Sequence, residues 1–241
     1  MEALPWRERL RSRDILIRSL RRFFQRRDYI EVETPTRVLC PGIDTYIDAL
    51  PAGEQFFLAT SPELEMKKLL AAGMDRIFQV TRAFRADEEG DLHSPEFSLL
   101  EWYSVGEDYG DLMETTEALV REGGAALEEA GITAASGRWP SPFPRITVDE
   151  AFRLHAGWEP SRGFEADRFF RDLVEKVEPE LAGRGALCLT DYPAPAGALA
   201  RKKPENPRVC ERFELYLEGM EICNGFTELT DPVEQEGRFE R

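Results

Sequence analysis

The stretch that decides the fold spans residues 76–105 and reads RIFQVTRAFRADEEGDLHSPEFSLLEWYSV. Its two ends, Arg76–Arg85 and Glu96–Val105, are rich in β-branched and aromatic residues, and a polar run separates them. This pattern predicts two antiparallel strands joined by a long loop. Alternate residues of a strand share a face, so one face of the second strand would combine apolar side chains with an acid and a phenol. That face carries Phe97, Leu99, Glu101 and Tyr103.

The sequence on either side of this pair alternates between helical and strand patterns, without an internal repeat. Upstream, the segments are a helix at about 5–27 and strands at 29–35 and 56–59. A second helix follows; we expect Ser61 to cap it, Pro62 to lie in its first turn and Gly73 to end it. Downstream, they are helices at 112–130, 147–156 and 165–182, a strand at 186–190, and strands at 209–217 and 220–228, with a linker at 133–145, a proline-rich loop at 193–207 and a last helix from Asp231. We therefore predict a single α+β domain over residues 1–241, with helices packed on a mostly antiparallel sheet.

The composition is that of a soluble globular protein, with 42% hydrophobic and 32% charged residues. The net charge of −15 argues against a general nucleic-acid or membrane surface, and no run of apolar residues has membrane-spanning length. Residues 1–37 differ, because they hold ten arginines against six acids; a solvated basic face and an anionic partner both remain open for them. Four scattered cysteines without a CxxC pair, and two histidines, make a zinc site improbable and indicate reducing cytosol.

The terminal hairpin brings two carboxylates together. If Leu217 pairs with Met220 across the turn Glu218-Gly219, then Glu221 lies opposite Tyr216 and diagonal to Glu214 on one face. Two such acids repel unless a cation or a proton lies between them, and Mg²⁺ held by carboxylates and substrate phosphates would fit. A solvated acidic face is the alternative. For Asn224 and Glu228 to serve the same face the strand must bulge, and we expect the bulge at Gly225.

Several phrases of the sequence resemble the catalytic core of class II lysyl-tRNA synthetases. The resemblance runs from about residue 10 onward, with Glu31–Pro35 similar to motif 1 of that class and the Arg85 region similar to motif 2. It is closest to the short paralogue family of elongation factor P–(R)-β-lysine ligases, in Ser61 and in the Glu-Trp-Tyr phrase at 101–103. The further matching phrases are Thr60–Glu63, Phe84-Arg85, His93–Phe97, Leu100–Tyr103, Arg212–Glu214 and Glu221–Asp231.

The resemblance implies ATP and Mg²⁺ as cofactors and assigns roles to individual residues. Arg85, the catalytic residue, would bridge the substrate carboxylate and the α-phosphate. The implied substrate-binding residues are Ser61, Pro62, Glu63 for the amino group, Tyr103 and Glu228 for the distal ammonium, and Glu101 and Asn224. The implied nucleotide contacts are Arg85, Ala86, Asp87, His93, Ser94, Phe97, Glu221 and the backbone of Ile222. Phe97 would stack on adenine. Glu214 and Glu221 would be ligands of Mg²⁺.

The sequence departs from the family pattern at two places. Asp87 and Ala86 stand where motif 2 usually has Glu and Asn, and nothing after Asp231 matches the Gly-rich strand and arginine-bearing helix of motif 3. We interpret the sequence either as a C-terminally incomplete version of the core or as a degenerate member. Because the matching core begins almost at residue 1, we expect no anticodon-binding domain of the kind that precedes it in true lysyl-tRNA synthetases.

The implied function is ATP-dependent activation of lysine or (R)-β-lysine as an aminoacyl adenylate, followed by transfer to a lysine side chain of elongation factor P. A non-catalytic lysine-binding protein is the alternative, and a tRNA-charging enzyme is less favoured. The family also implies a cytoplasmic homodimer that is built through residues 10–38 and has no membrane partner.

Overall fold

The computed structural model describes residues 5–42, 47–86, 88–90, 93–132, 139–197 and 199–239. The chain divides into two compact units, one of residues Ile17–Gly106 and one of Met1–Leu16 with Glu107–Arg241. Both units contain helices and sheets, so the predicted α+β class is confirmed. Across the described ranges, no helix is long and apolar enough to cross a membrane.

Within these ranges the α-helices are α1 (Trp6–Gln25), α2 (Glu63–Ala71), α3 (Tyr109–Glu129), α4 (Val148–His155), α5 (Ala166–Asp172), α6 (Glu178–Leu181) and α7 (Pro232–Phe239). The strands are β1 (Ile30–Glu31), β2 (Arg37–Val38), β3 (Phe57–Leu58), β4 (Arg76–Phe84), β5 (Glu96–Ser104), β6 (Arg145–Thr147), β7 (Ala186–Pro193), β8 (Lys202–Lys203), β9 (Asn206–Leu217) and β10 (Met220–Phe226).

The unit Ile17–Gly106 is built on a three-stranded sheet in the order β1-β4-β5. As predicted, β4 and β5 are antiparallel, with Gln79 opposite Glu101, whereas β1 runs parallel to β4. Phe24 of α1 covers one face of this sheet, because its ring stacks on Phe78 at 4.8 Å and lies 5.4 Å from Trp102. Alternation then turns the side chains of Gln79, Glu101 and their same-face neighbours away from Phe24.

The second unit is built on a five-stranded sheet with the path β10-β9-β7-β6, and β8 pairs with β9. Only β6 and β7 are parallel among its described ladders. Met113 of α3 packs with Cys188, Phe213 and Leu215 on one face of the sheet. Helices α4, α5 and α6 pack on the opposite face, which carries Leu187, Leu189 and Tyr216.

The hairpin between β9 and β10 is confirmed, but its bulge is not where the sequence placed it. Glu218 and Gly219 form the two-residue turn with φ of 52° and 85°, the left-handed conformation that this turn requires. Glu221 pairs with Tyr216, and the register then shifts so that Cys223 pairs with Leu215. The extra residue is therefore Ile222, and the prediction of a bulge at Gly225 is wrong.

Several boundaries also differ from the predicted ones, each for a local reason. Helix α3 begins three residues before the predicted 112, because Asp108 caps it and accepts hydrogen bonds from the N–H groups of Gly110 and Asp111. The predicted helix 165–182 is interrupted by a π-helical turn at Leu173–Val177, just before Pro179, which has no N–H to donate.

Strands β6 and β8 and the end of β7 were not predicted. Strand β6 begins at the last residue of the predicted linker 133–145 and is fixed by pairing with β7. Residues 133–138 of that linker lie outside the described residues. Strand β8 lies in the predicted proline-rich loop, and β7 extends beyond the predicted 190 through an irregularity at Asp191. Tertiary pairing, which the local sequence does not report, decides these segments.

Candidate active site

Arg85 follows β4 directly and is held by both its backbone and its side chain. Its N–H donates to the carbonyl of Pro95 at 3.0 Å, which closes the base of the loop between β4 and β5. Its Nη1 lies 3.6 Å from Glu88 Oε1, and its Nε donates to the carbonyl of Thr60 at 3.5 Å. The guanidinium carbon is 5.1 Å from the centroid of the Phe97 ring. The structure therefore brings together two predicted site residues, Arg85 and Phe97.

The segment before α2 presents Glu63 at the start of the helix. Ser61 Oγ accepts the N–H of Glu63 at 3.2 Å, but the N-cap residue is Pro62 and no side chain caps the helix there, so the prediction that Ser61 is the cap is wrong by one residue. Pro62 is buried and lies just before the helix rather than in its first turn. The Oε1 of Glu63 accepts a hydrogen bond from Lys67 Nζ at 2.7 Å, one helical turn further on. The carboxylate of Glu63 is thus already paired with an ammonium group.

Glu101 and Tyr103 form the polar patch that alternation predicts on β5. The Tyr103 hydroxyl donates to Glu101 Oε1 at 2.7 Å. Opposite Glu101 lies the buried Gln79, whose Oε1 accepts a hydrogen bond from Thr34 at 3.0 Å. The patch combines an acid with a phenol and an amide, which are suitable groups for binding an ammonium ion.

The loop between β4 and β5 holds the other predicted nucleotide contacts. The N–H of Ala86 donates to the carbonyl of Asp48 at 2.8 Å. His93 and Ser94 are exposed, and His93 Nε2 is 4.0 Å from Glu88 Oε2. Asp87 lies outside the described residues. Sequence reasoning missed Glu88, the acid that faces both Arg85 and His93; its position in the phrase Asp87-Glu88-Glu89 was the available signal.

Glu214 is buried in the other unit, and each of its carboxylate oxygens has a donor. Arg212 Nη2 donates to Oε1 at 2.8 Å, and the Tyr216 hydroxyl donates to Oε2 at 2.9 Å. Tyr216 also lies 3.1 Å from Glu178 Oε1. Burial and the charge of Glu214 raise the pKa of Tyr216 well above its ordinary value, so the hydroxyl stays protonated at neutral pH.

The bulge at Ile222 changes which residues share the face of Glu214. Glu221 lies opposite Tyr216, and Asn224 lies directly opposite Glu214, so the described ladder puts all of them on one face. Glu221, Ile222 and Asn224 are exposed, and Glu228 forms an isolated bridge with Ala200 beyond the end of β10. The predicted sharing of one face is thus confirmed for Asn224, with the extra residue three positions earlier than predicted, whereas for Glu228, which lies outside this ladder, it stays a prediction.

The hairpin carboxylates fit a cation that takes most of its ligands from elsewhere. Glu214 uses two of its roughly four lone-pair sites on Arg212 and Tyr216, which leaves acceptor capacity on both oxygens. Across the described ranges no three His, Cys, Asp or Glu residues are grouped to hold a metal ion. Mg²⁺ is ordinarily held by one or two carboxylates with phosphates and water, and the donor set suits that mode.

Sequence reasoning also missed the residues that surround Glu214. Arg212 and Tyr216 could have been found, because they alternate with Glu214 along β9. Glu178 gave no sequence signal, since it is 36 positions from Glu214 and meets the strand only through packing of α6. Each half of the predicted site is therefore assembled within its own unit.

Comparison with known proteins gives a family match and several similar sequences. The family model described as tRNA synthetases class II (D, K and N) matches residues 4–241. A lysine–tRNA ligase of Burkholderia vietnamiensis is 34% identical over 270 residues, covering 98% of this chain and 52% of the relative. An elongation factor P–(R)-beta-lysine ligase of Vibrio vulnificus is 34% identical over 265 residues, covering 97% of this chain and 78% of the relative. The chain thus spans about half the length of the lysine–tRNA ligase.

Proposed function

The chain belongs to the class II tRNA synthetase family that serves aspartate, lysine and asparagine, and on that premise we propose that it is an ATP-dependent lysine ligase. It activates lysine or (R)-β-lysine as an aminoacyl adenylate and transfers the acyl group to a lysine side chain of elongation factor P. The Vibrio vulnificus ligase supports this acceptor, because the chain covers 78% of that relative.

The observation that carries the proposal is the polar face of β4 and β5. Arg85 lies over Phe97 at one end of this face, and the bonded pair of Glu101 and Tyr103 lies at the other. A dicationic amino acid needs acids that remain charged in a partly buried site, and a forked guanidinium suits its carboxylate. Glu63 supports the same function, since its carboxylate already accepts a hydrogen bond from the ammonium group of Lys67.

The proposed reaction has two steps, and both depend on positioning. In the first, a carboxylate oxygen of the amino acid bonds to the α-phosphorus of ATP and pyrophosphate leaves, while Arg85 balances the charge that develops there. In the second, a neutral amine of the acceptor bonds to the acyl carbon, AMP leaves, and the amine loses a proton to water. The roles of Ser61, Pro62, Ala86, Asp87, His93 and Ser94 are proposed contacts to the amino acid or to ATP.

Glu214 and Glu221 would hold Mg²⁺, with Asn224 and the Ile222 backbone beside them and Glu228 for the distal ammonium. When bound, Mg²⁺ neutralises phosphate charge and orients the nucleotide. The chain's own contribution is to hold the Glu214 carboxylate in place, through the guanidinium of Arg212 at 2.8 Å.

The test is ATP–pyrophosphate exchange with lysine and with (R)-β-lysine, followed by transfer to unmodified elongation factor P or to tRNA. We expect exchange with at least one amino acid and a mass increase of elongation factor P by one aminoacyl group. Transfer to tRNA instead would favour the second candidate, tRNA charging, which the 34% identity to a lysine–tRNA ligase supports. Lysine binding in calorimetry without exchange would contradict both ligase functions and indicate a binding protein.

We also propose a homodimer through residues 10–38. Leu10 and Ile30 lie in this range and are 59% and 56% exposed, so a partner subunit would cover apolar surface there. Light scattering checks the mass, and a monomer at micromolar concentration would contradict the proposal.

A further inference from the structure

The carboxylate of Glu214 is fixed on both sides. Arg212 holds Oε1, and Arg212 is itself held because its Nη1 donates to the carbonyl of Ala196 at 2.8 Å and its guanidinium lies 4.6 Å from the Tyr192 ring centroid. Tyr216 holds Oε2 from two positions further along β9. A carboxylate with both oxygens bonded turns only if both bonds break, so its remaining lone pairs keep one direction.

Tyr216 has a second acidic neighbour. Its hydroxyl oxygen lies 2.9 Å from Glu214 Oε2 and 3.1 Å from Glu178 Oε1, so its one proton is shared between two carboxylate acceptors. Acceptors on both sides limit the directions in which this hydroxyl can turn. Glu214 has a guanidinium at 2.8 Å that stabilises its charge, whereas no described ion pair involves Glu178.

The contacts of Tyr216 link the two acids. Its hydroxyl lies between Glu178 Oε1 and Glu214 Oε2, and Arg212 holds the other oxygen of Glu214. Burial raises the pKa of Glu178, the hydrogen bond from Tyr216 opposes that rise, and the charge of Glu214 adds to it. Glu178 thus acts on Glu214 through Tyr216, because it fixes the hydroxyl that bonds to the Glu214 carboxylate.

We propose that Tyr216 and Glu178 are positioning residues, which orient Glu214 toward the cation that accompanies ATP. This inference rests on the proposed function, because it takes Glu214 as a ligand of that cation. Neither residue touches the substrate in this arrangement, and both act through Glu214. Outer partners of metal ligands commonly change metal affinity or activity by about 10- to 100-fold when they are removed.

The test compares Tyr216→Phe, Glu178→Ala and Glu178→Gln with the unaltered protein. Mn²⁺ binding in the presence of ATP is followed by electron paramagnetic resonance, so the readout does not need turnover. We expect Tyr216→Phe and Glu178→Ala to weaken Mn²⁺ binding by about 10- to 100-fold. Glu178→Gln should stay close to the unaltered protein, because its amide oxygen can still accept the hydrogen bond from Tyr216.

Two matched variants separate positioning from stability. Tyr109→Phe removes another phenol of the same unit, whose hydroxyl donates to Asp191 at 3.0 Å, and Glu117→Gln alters another half-buried acid, which accepts the N–H of Phe143 at 2.7 Å. Both should change the melting temperature without changing Mn²⁺ affinity. If Tyr216→Phe does not fold, the contrast between Glu178→Ala and Glu178→Gln carries the test.

The outcomes are distinguishable from failure of the proposed function. Mn²⁺ binding with ATP but no pyrophosphate exchange would contradict the ligase function and leave the positioning effect measurable. Unaltered Mn²⁺ affinity in Tyr216→Phe and Glu178→Ala would overturn the inference. The inference would also be overturned if Glu178→Gln bound Mn²⁺ as weakly as Glu178→Ala does. The same holds if the unaltered protein binds no Mn²⁺ in the presence of ATP.

Discussion

Asn224 lies directly opposite Glu214 in the ladder between β9 and β10, and the bulge at Ile222 is the reason. In a regular ladder, Met220 opposite Leu217 would bring Cys223 opposite Glu214 and turn Asn224 to the other face of the sheet. The extra residue restores Asn224 to the face of Glu221 and Tyr216. One inserted residue therefore decides which side chains can serve a common site.

The first prediction concerns deletion of Ile222. Because the bulge residue is the extra one, its deletion leaves Asn224 opposite Glu214 and makes the ladder regular. We expect the hairpin to fold and ATP affinity to fall at least about tenfold, since the bulge backbone is the group proposed to lie near the nucleotide. Calorimetry with ATP and Mg²⁺ measures the affinity. Ile222→Ala keeps the bulge and should bind as the unaltered protein does; equal binding by the deletion variant would remove any role for this backbone.

The second prediction concerns Arg85. Arg85→Ala should lower the rate of pyrophosphate exchange by about 100- to 1,000-fold, the usual effect of removing one donor that stabilises charge in a transition state. Arg85→Lys should recover only part of this loss, because an ammonium lacks the planar fork. The matched control is Arg82→Ala, at an exposed side chain of β4 on the other face, where Arg82 pairs with Glu96 at 3.5 Å. Similar rates for Arg85→Ala and Arg82→Ala would contradict the role of Arg85.

The third prediction concerns the hydrogen bond between Tyr103 and Glu101. A hydrogen bond to a charged group is worth about 1.5–3 kcal/mol, so Glu101→Gln should raise the KM for lysine by about 10- to 100-fold. Tyr103→Phe should raise it less, and the double variant should cost less than the sum, because the two side chains bind as a pair. The KM for ATP should not change. Glu96→Gln, at an exposed acid of the same strand, is the control; additive effects of the two site variants would contradict the pairing.

The elements that the sequence predicted well are those with a purely local signal. The alternation in β4 and β5 and the turn Glu218-Gly219 specified the two main hairpins, including the Glu101–Tyr103 patch. The position of the bulge was missed because Gly225 is a better local bulge signal than Ile222, whereas glycine at 225 instead matches the close approach of Phe213. Contacts between distant segments, such as Glu178 with Tyr216, leave no local pattern and could not be predicted.

The fourth prediction follows from the actual reason for glycine at 225. A Cβ added there would lie 2.6 Å from Cε1 of Phe213, a fully buried ring. Gly225→Ala should therefore lower the free energy of unfolding by about 1–3 kcal/mol, the usual cost of overpacking. Gly237→Ala is the control, because nothing lies within 4 Å of the added Cβ and α7 should gain about 0.5–1 kcal/mol. Urea denaturation measures both, and an unchanged midpoint for Gly225→Ala would show that Phe213 can move.

The fifth prediction concerns the pH dependence of stability at Asp172. This buried carboxylate accepts hydrogen bonds from Lys176 Nζ at 2.7 Å and Trp158 Nε1 at 2.9 Å. The Lys176 hydrogen bond is the main cause that lowers the pKa of Asp172 below the ordinary 3.8, while burial opposes it. The unfolded chain then binds the proton at higher pH than the folded one, so this contribution is present above 3.8 and is lost as the pH falls toward the folded value. Asp172→Asn and Lys176→Gln should each flatten the fall in unfolding free energy over that acidic range, as urea denaturation at stepped pH would measure. Slopes equal to that of the unaltered protein would mean that Asp172 titrates alike in both states.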